Sequence, residues 1–133
     1  LRAGLIGLGS MGVNHARVLV AAGVDFVGIA DPAPGPNPRT QGRPVYPTVE
    51  ELLEQRPDYC VIATPTVTHL PLGLQLAQAG IHALIEKPLT LDATEAATLH
   101  AAFQQRGLVG AVGHIERYNP ALQQARDRVE NGQ

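Results

Sequence analysis

Short apolar runs alternate with segments of helical spacing along the whole chain. The runs lack the polar alternation of a half-exposed strand, which is typical of strands buried on both faces of a sheet. This βα alternation predicts an α/β fold, a doubly wound parallel sheet in a three-layer αβα arrangement with strand order 3-2-1-4-5-6. The predicted strands lie in residues 2–9, 24–30, 45–48, 58–65, 81–88 and 108–114.

Polar residues mark where the predicted helices begin. A side-chain oxygen just before a helix accepts a hydrogen bond from one of its first free amides. A threonine or serine followed three residues later by Glu adds a second bond in return, which makes a capping box. The predicted caps are Thr48 with Glu51, Thr66, Asp92, and Asn119 ahead of Pro120.

A proline-rich stretch follows the second predicted strand. Residues 31–44 contain Pro32, Pro34, Pro36, Pro38 and Pro44. Proline lacks an amide hydrogen and disrupts helix and strand interiors. The stretch is therefore predicted to be a surface loop without a regular element.

Composition narrows the class of protein. The chain has 133 residues, 44% of them hydrophobic and 17% charged, with a net charge of -2. These values are ordinary for one globular domain and leave no basic face for nucleic acid or an anionic membrane. With one cysteine, Cys60, and no signal-peptide pattern, the protein is expected to be cytoplasmic.

The sequence "GLGSMG" places Gly7, Gly9 and Gly12 between a predicted strand and a predicted helix. In a Rossmann-type fold this pattern gives a tight turn, a close backbone approach to a pyrophosphate, and close packing of helix on sheet. The amides expected to face the phosphates are those of Leu8, Ser10 and Met11. The alternative is a glycine-rich βα turn without a ligand.

Asp31 ends the second predicted strand, about 20 residues after the glycines, where a carboxylate can accept hydrogen bonds from both adenosine ribose hydroxyls. Its charge would repel a 2′-phosphate, so NAD is favoured over NADP. Arg39 or Arg43 in the proline-rich loop could reverse that preference. The alternative is an aspartate that only begins the loop.

Lys87 is the only lysine among the ten basic residues. It follows the fifth predicted strand, and ligands of open parallel sheets bind beyond the carboxyl ends of the strands. There a lysine can hydrogen-bond a substrate hydroxyl and relay its proton. Pro88 restrains the backbone of Lys87 and allows a cis peptide bond. The alternative is a solvated lysine at a strand end.

With "GLGSMG", Asp31, "ATPTVTH" and "EKP" in this order, the chain resembles the amino-terminal half of the Gfo/Idh/MocA oxidoreductase family. The resemblance implies hydride transfer between NAD and a carbinol of a sugar, cyclitol or nucleotide sugar, with Lys87 catalytic. It also implies a second α/β domain that supplies much of the substrate site, and a homo-oligomer. The alternative is a non-catalytic nucleotide-binding module or redox sensor.

The resemblance adds residues to the predicted cofactor site and divides the chain. Residues 1–120 are expected to form the dinucleotide-binding domain, and residues 121–133 to begin a connecting helix towards a domain absent from this chain. No metal site is expected. The cofactor contacts implied by the resemblance are Thr64, Pro65, Thr66, His69, Glu86, Lys87 and Arg117.

Overall fold

The strands of the described residues form a six-stranded sheet in which all neighbouring strands are parallel. The structure is a computed structural model that describes residues 1–33 and 38–132. The predicted strand order and parallel pairing are confirmed. The strands are β1 (Arg2–Ile6), β2 (Asp25–Ala30), β3 (Val45–Tyr46), β4 (Tyr59–Ile62), β5 (His82–Ile85) and β6 (Gly110–Val112). Their order in the sheet is β3-β2-β1-β4-β5-β6.

Helices connect the strands, as the spacing predicts. Short 3₁₀ turns lie at Pro38–Thr40, Thr66–Thr68 and Ile115–Tyr118. The first of these turns lies in the proline-rich stretch. The prediction that this stretch contains no regular element is therefore wrong. Residues 34–37 of that loop lie outside the described part of the chain. The helices are α1 (Ser10–Ala21), α2 (Val49–Leu53), α3 (His69–Gln78), α4 (Ala93–Gln105) and α5 (Pro120–Glu130).

Three of the four predicted caps are confirmed. Thr48 Oγ1 accepts from the amide of Glu51 at 3.3 Å, and Asp92 Oδ1 accepts from the amide of Glu95 at 2.9 Å. The side chain of Asn119 caps α5 by accepting from the amide of Ala121 at 3.0 Å.

The predicted cap at Thr66 is wrong. Thr66 begins a 3₁₀ turn, and α3 starts only at His69. The reason is local, since the Thr68 hydroxyl donates to the carbonyl of Pro65 at 2.7 Å and the Thr68 amide donates to the same oxygen at 2.9 Å. These bonds close one tight turn before the helix begins.

The core has two parts, one on each face of the sheet. Successive strand residues point to opposite faces, so Leu5 joins one part and Ile6 the other. On the first face α1 contributes Ala16 and Leu19. On the second face α2, α3 and α4 contribute buried side chains, and this confirms the three-layer arrangement. Those side chains are Leu52, Leu76, Ala77, Leu99 and Phe103.

Helix α5 packs differently from the other helices. It contains no buried residue, and Leu122 and Val129 on it are exposed, as is Tyr118 in the preceding turn.

Within residues 1–33 and 38–132, no helix combines the length and apolar character needed to cross a membrane.

Cys60 on β4 is fully buried against Gly4 on β1, where an added Cβ would lie 2.7 Å from the cysteine sulfur. Burial raises the pKa of the Cys60 thiol to about 12. The thiol of the unfolded chain ionises from about pH 9, whereas the folded thiol stays neutral, so folding is favoured below that pH and loses stability above it.

We therefore expect the stability advantage of the wild type over Cys60→Ala to shrink by about 1–2 kcal/mol between pH 8 and pH 10. Urea unfolding of both proteins at the two pH values measures this difference. A difference that stays constant with pH would contradict the burial of the thiol.

Candidate functional site

The loop between β1 and α1 opens the amino end of α1 towards the carboxyl edge of the sheet. Gly7 has φ +92°, and its amide donates to the carbonyl of Ala30 at 2.8 Å. A Cβ on Gly12 would collide with the carbonyl oxygen of Gly7. A Cβ on Gly9 would meet no atom within 4 Å, because this glycine faces open space. Two glycines therefore serve the turn, and Gly9 leaves room for a ligand.

Asp31, just beyond β2, is bonded to the glycine loop. Its Oδ2 accepts from the amide of Leu8 at 2.7 Å, and its Oδ1 accepts from the amide of Ala33 at 2.9 Å. The Leu8 amide, predicted to face a phosphate, thus donates to Asp31 instead. Each carboxylate oxygen can accept a further bond, so Asp31 retains acceptors for ribose hydroxyls.

A cleft of about 760 Å³ lies at this edge of the sheet. Its volume and its polar groups at strand ends are typical of a cofactor site. Nine of the predicted site residues meet in its wall although they come from four different strand ends. They are Gly7, Leu8, Gly9, Met11, Asp31, Thr64, Pro65, Glu86 and Lys87.

Thr64 has the orientation of its hydroxyl set by a neighbour. Its Oγ1 lies 2.6 Å from Oγ1 of Thr68, which itself donates to the carbonyl of Pro65. A hydroxyl donates one hydrogen, so Thr64 must donate to Thr68. Thr64 is then left with lone pairs only, which are free to accept a hydrogen bond.

Five predicted site residues lie outside the wall of this cleft. His69 is 1% exposed, and its Nε2 lies 2.9 Å from the carbonyl oxygen of Thr64. Its Nδ1 lies 3.0 Å from the carbonyl oxygen of Pro88, so His69 joins two loops of the site from behind. Arg117 lines a neighbouring cleft. The other three are Ser10, Gly12 and Thr66.

Lys87 lies in the wall of both clefts. The second cleft, of about 610 Å³, is otherwise formed by residues beyond β6 and by α5. The peptide bond from Lys87 to Pro88 is cis. Lys87 is exposed, and the side chains of His114 and Arg117 line the second cleft with it.

Several cleft residues were missed by sequence reasoning. Thr68 follows Thr64 by four residues, a spacing that puts two side chains on one face of a helical turn and could have revealed it. The apolar rim carried no motif, since prolines and aliphatic residues are common in loops. The missed rim residues are Pro32, Pro47, Val49, Pro71 and Leu72.

Within the described ranges, no group of three His, Cys, Asp or Glu side chains is placed to hold a metal ion. The cleft does fit a dinucleotide. It combines an open glycine at a helix amino end with a carboxylate about one strand away, the two features that hold a pyrophosphate and an adenosine ribose.

The family model described as "Oxidoreductase family, NAD-binding Rossmann fold" matches residues 1–114. The chain belongs to this Gfo/Idh/MocA family. The resemblance predicted from the motifs is thereby confirmed, and with it NAD as the cofactor of the domain.

Relatives show the range of the family. The chain is 42% identical over 130 residues to UDP-N-acetylglucosamine 3-dehydrogenase of Acidithiobacillus ferrooxidans, which covers 95% of this chain and 41% of the relative. It is 31% identical to scyllo-inositol 2-dehydrogenase (NAD(+)) of Bacillus subtilis, over 100% of this chain and 41% of the relative. The chain therefore spans about two fifths of each.

A solved structure agrees in fold. GenD2 from gentamicin A biosynthesis, in complex with NAD, has a TM-score of 0.86 and 34% identity, covering 96% of this chain and 38% of that chain. The Rossmann-type fold and the membership of an oxidoreductase family expected from the sequence are confirmed.

Gly9→Ala tests the cofactor cleft directly. Because an added Cβ meets no protein atom, we expect the free energy of unfolding to change by less than about 1 kcal/mol. The methyl group would occupy the space of a pyrophosphate, so the Kd for NAD should rise more than about tenfold. Calorimetric titration and urea unfolding measure the two quantities.

Gly12→Ala is the comparison variant for the stability measurement in that experiment. Its Cβ would strike the Gly7 carbonyl, so this change should cost about 2 kcal/mol or more of stability. NAD affinity unchanged in Gly9→Ala would show that the cofactor does not approach this glycine.

Proposed function

We propose that this chain is the NAD-binding part of an enzyme that transfers a hydride between NAD and a carbinol carbon of a sugar, cyclitol or nucleotide sugar. The observation that carries the proposal is the position of Lys87, on the wall between the cofactor cleft and the second cleft. A group there can reach both a nicotinamide and a substrate. The names of the dehydrogenase relatives support the substrate class.

Different residues of the first cleft bind different parts of the cofactor. The open amino end of α1 at Gly9 holds the pyrophosphate through free amides and the helix dipole. Asp31 accepts from the adenosine ribose hydroxyls, and Thr64 accepts from a hydroxyl of the second ribose. When bound, the nicotinamide accepts or gives up the hydride.

Lys87 acts on the substrate hydroxyl. As an ammonium it donates a hydrogen bond to the oxygen of a carbonyl substrate and gives that oxygen a proton when the carbonyl is reduced; in the oxidation direction the neutral amine accepts the proton of the substrate hydroxyl. Pro88 restricts the backbone of Lys87, so the side chain starts from the boundary of the two clefts. Arg117 and His114 line the substrate side and bind polar groups of the sugar.

Residues 1–120 serve as the dinucleotide-binding domain, and α5 leads from residue 121 towards a second, substrate-binding domain. The exposed Leu122 and Val129 on α5 support this division, because a helix with no buried residue lacks a packing partner within residues 1–33 and 38–132. The 133-residue chain alone binds NAD weakly and turns over no substrate. The complete enzyme is a cytoplasmic homo-oligomer.

The preference for NAD depends on Asp31. We expect calorimetry to show that NAD binds at least about tenfold more tightly than NADP, since the carboxylate repels a 2′-phosphate. In Asp31→Asn, NAD affinity should fall about tenfold and the ratio of the two affinities should narrow.

Asp25→Asn is the control for Asp31→Asn. Asp25 is the first residue of β2, at the end of the strand opposite to Asp31, and it pairs with Arg2 on the exposed surface. It should leave both affinities unchanged. Heat from neither nucleotide would refute the cofactor assignment, and tighter binding of NADP would refute the role given to Asp31.

A further inference from the structure

His15 and Glu86 form a short, largely buried contact between two parts of the site. His15 lies in α1, and Glu86 follows β5. The His15 Nε2 is 2.7 Å from Glu86 Oε1, and the two side chains are 15% and 7% exposed. A carboxylate only accepts, so the imidazole donates from Nε2. This bond joins the helix that follows the glycine loop to the segment after β5 that contains Lys87.

The second oxygen of Glu86 is bonded to the backbone of Lys87. Its Oε2 accepts from the Lys87 amide at 3.1 Å, while the Glu86 amide donates to the carbonyl of Ile62 at 2.9 Å. Both carboxylate oxygens therefore have protein partners. A buried carboxylate is costly unless it is bonded in this way.

Gly113, after β6, confines the carboxylate from the other side. A Cβ at this position would lie 3.1 Å from Glu86 Cδ and Oε1 and 3.2 Å from Oε2. That is tighter than ordinary contact, so a side chain at residue 113 would require the carboxylate to shift by a few tenths of an ångström. The carboxylate thus has a fixed place between α1, β5 and the loop beyond β6.

We infer that His15 is a positioning residue that holds the backbone of Lys87 through Glu86. It couples the helix whose amino end faces the cofactor to the residue that faces the substrate. The importance of this position for catalysis depends on the proposed role of Lys87, but the coupling itself does not. No sequence motif indicates the pairing of His15 with Glu86, because the two residues are 71 positions apart.

The single lysine makes the coupling measurable. A 133-residue chain labelled with ¹⁵N only at lysine gives one backbone amide signal, from the same amide that donates to Glu86. An amide bonded to a carboxylate has a characteristic proton shift, and losing the bond moves the signal. The measurement needs no cofactor and no turnover, so it is independent of whether NAD binds.

His15→Leu removes the donor and replaces the imidazole with an apolar side chain of similar size. We expect the Lys87 amide signal to move clearly away from its wild-type position. His15→Gln offers an amide donor at a comparable distance and should return the signal towards the wild-type position. His100→Gln, on the exposed surface of α4, is the matched control and should leave the signal unchanged.

A purely structural role for His15 would lower the unfolding midpoint and leave the Lys87 signal of the folded protein in place. That result, or a failure of His15→Gln to restore the signal, would overturn the inference. If His15→Leu does not fold, Gly113→Ala displaces the same carboxylate from the other side. An unmoved Lys87 signal in folded Gly113→Ala would equally overturn it.

Discussion

Parallel pairing of β2, β1, β4 and β5 is the constraint on which the rest of the site depends. Because these strands run in one direction, every strand ends at the same edge of the sheet. Gly7, Asp31, Thr64 and Glu86 are thus brought together although they are distant along the chain. The two core layers maintain this edge by burying both faces of the strands. A break in the pairing would separate the glycine loop from Lys87.

Polar groups at this edge are bonded to one another before any ligand arrives. Asp31 is hydrogen-bonded to the glycine loop, and Thr64 is hydrogen-bonded to Thr68. Glu86 accepts hydrogen bonds from His15 and from the backbone amide of Lys87. Groups that are already oriented lose less entropy when a ligand binds. The side chains of the site are therefore already oriented, and a few of their oxygen lone pairs remain free to accept hydrogen bonds. Gly9 is the place where the backbone leaves space for a ligand.

The sequence predicted the fold and half of the residues in the cleft wall, because both follow from local patterns. Apolar runs, caps and the glycine spacing each depend on neighbouring residues, and they placed Asp31 and Lys87 correctly at strand ends. Contacts between distant residues had no such signal. His15 paired with Glu86, and His69 turned to backbone carbonyls, because of tertiary packing that no short window records.

The central claim is that Lys87 lies beside the nicotinamide end of bound NAD. A chain carrying ¹³C only at the lysine Cε gives one labelled signal, because Lys87 is the only lysine. The account predicts that NAD moves this signal, whereas ADP-ribose, which lacks the nicotinamide ring, occupies the same cleft and leaves it nearly in place. A signal that responds equally to both ligands, or to neither while NAD is bound, would contradict the account.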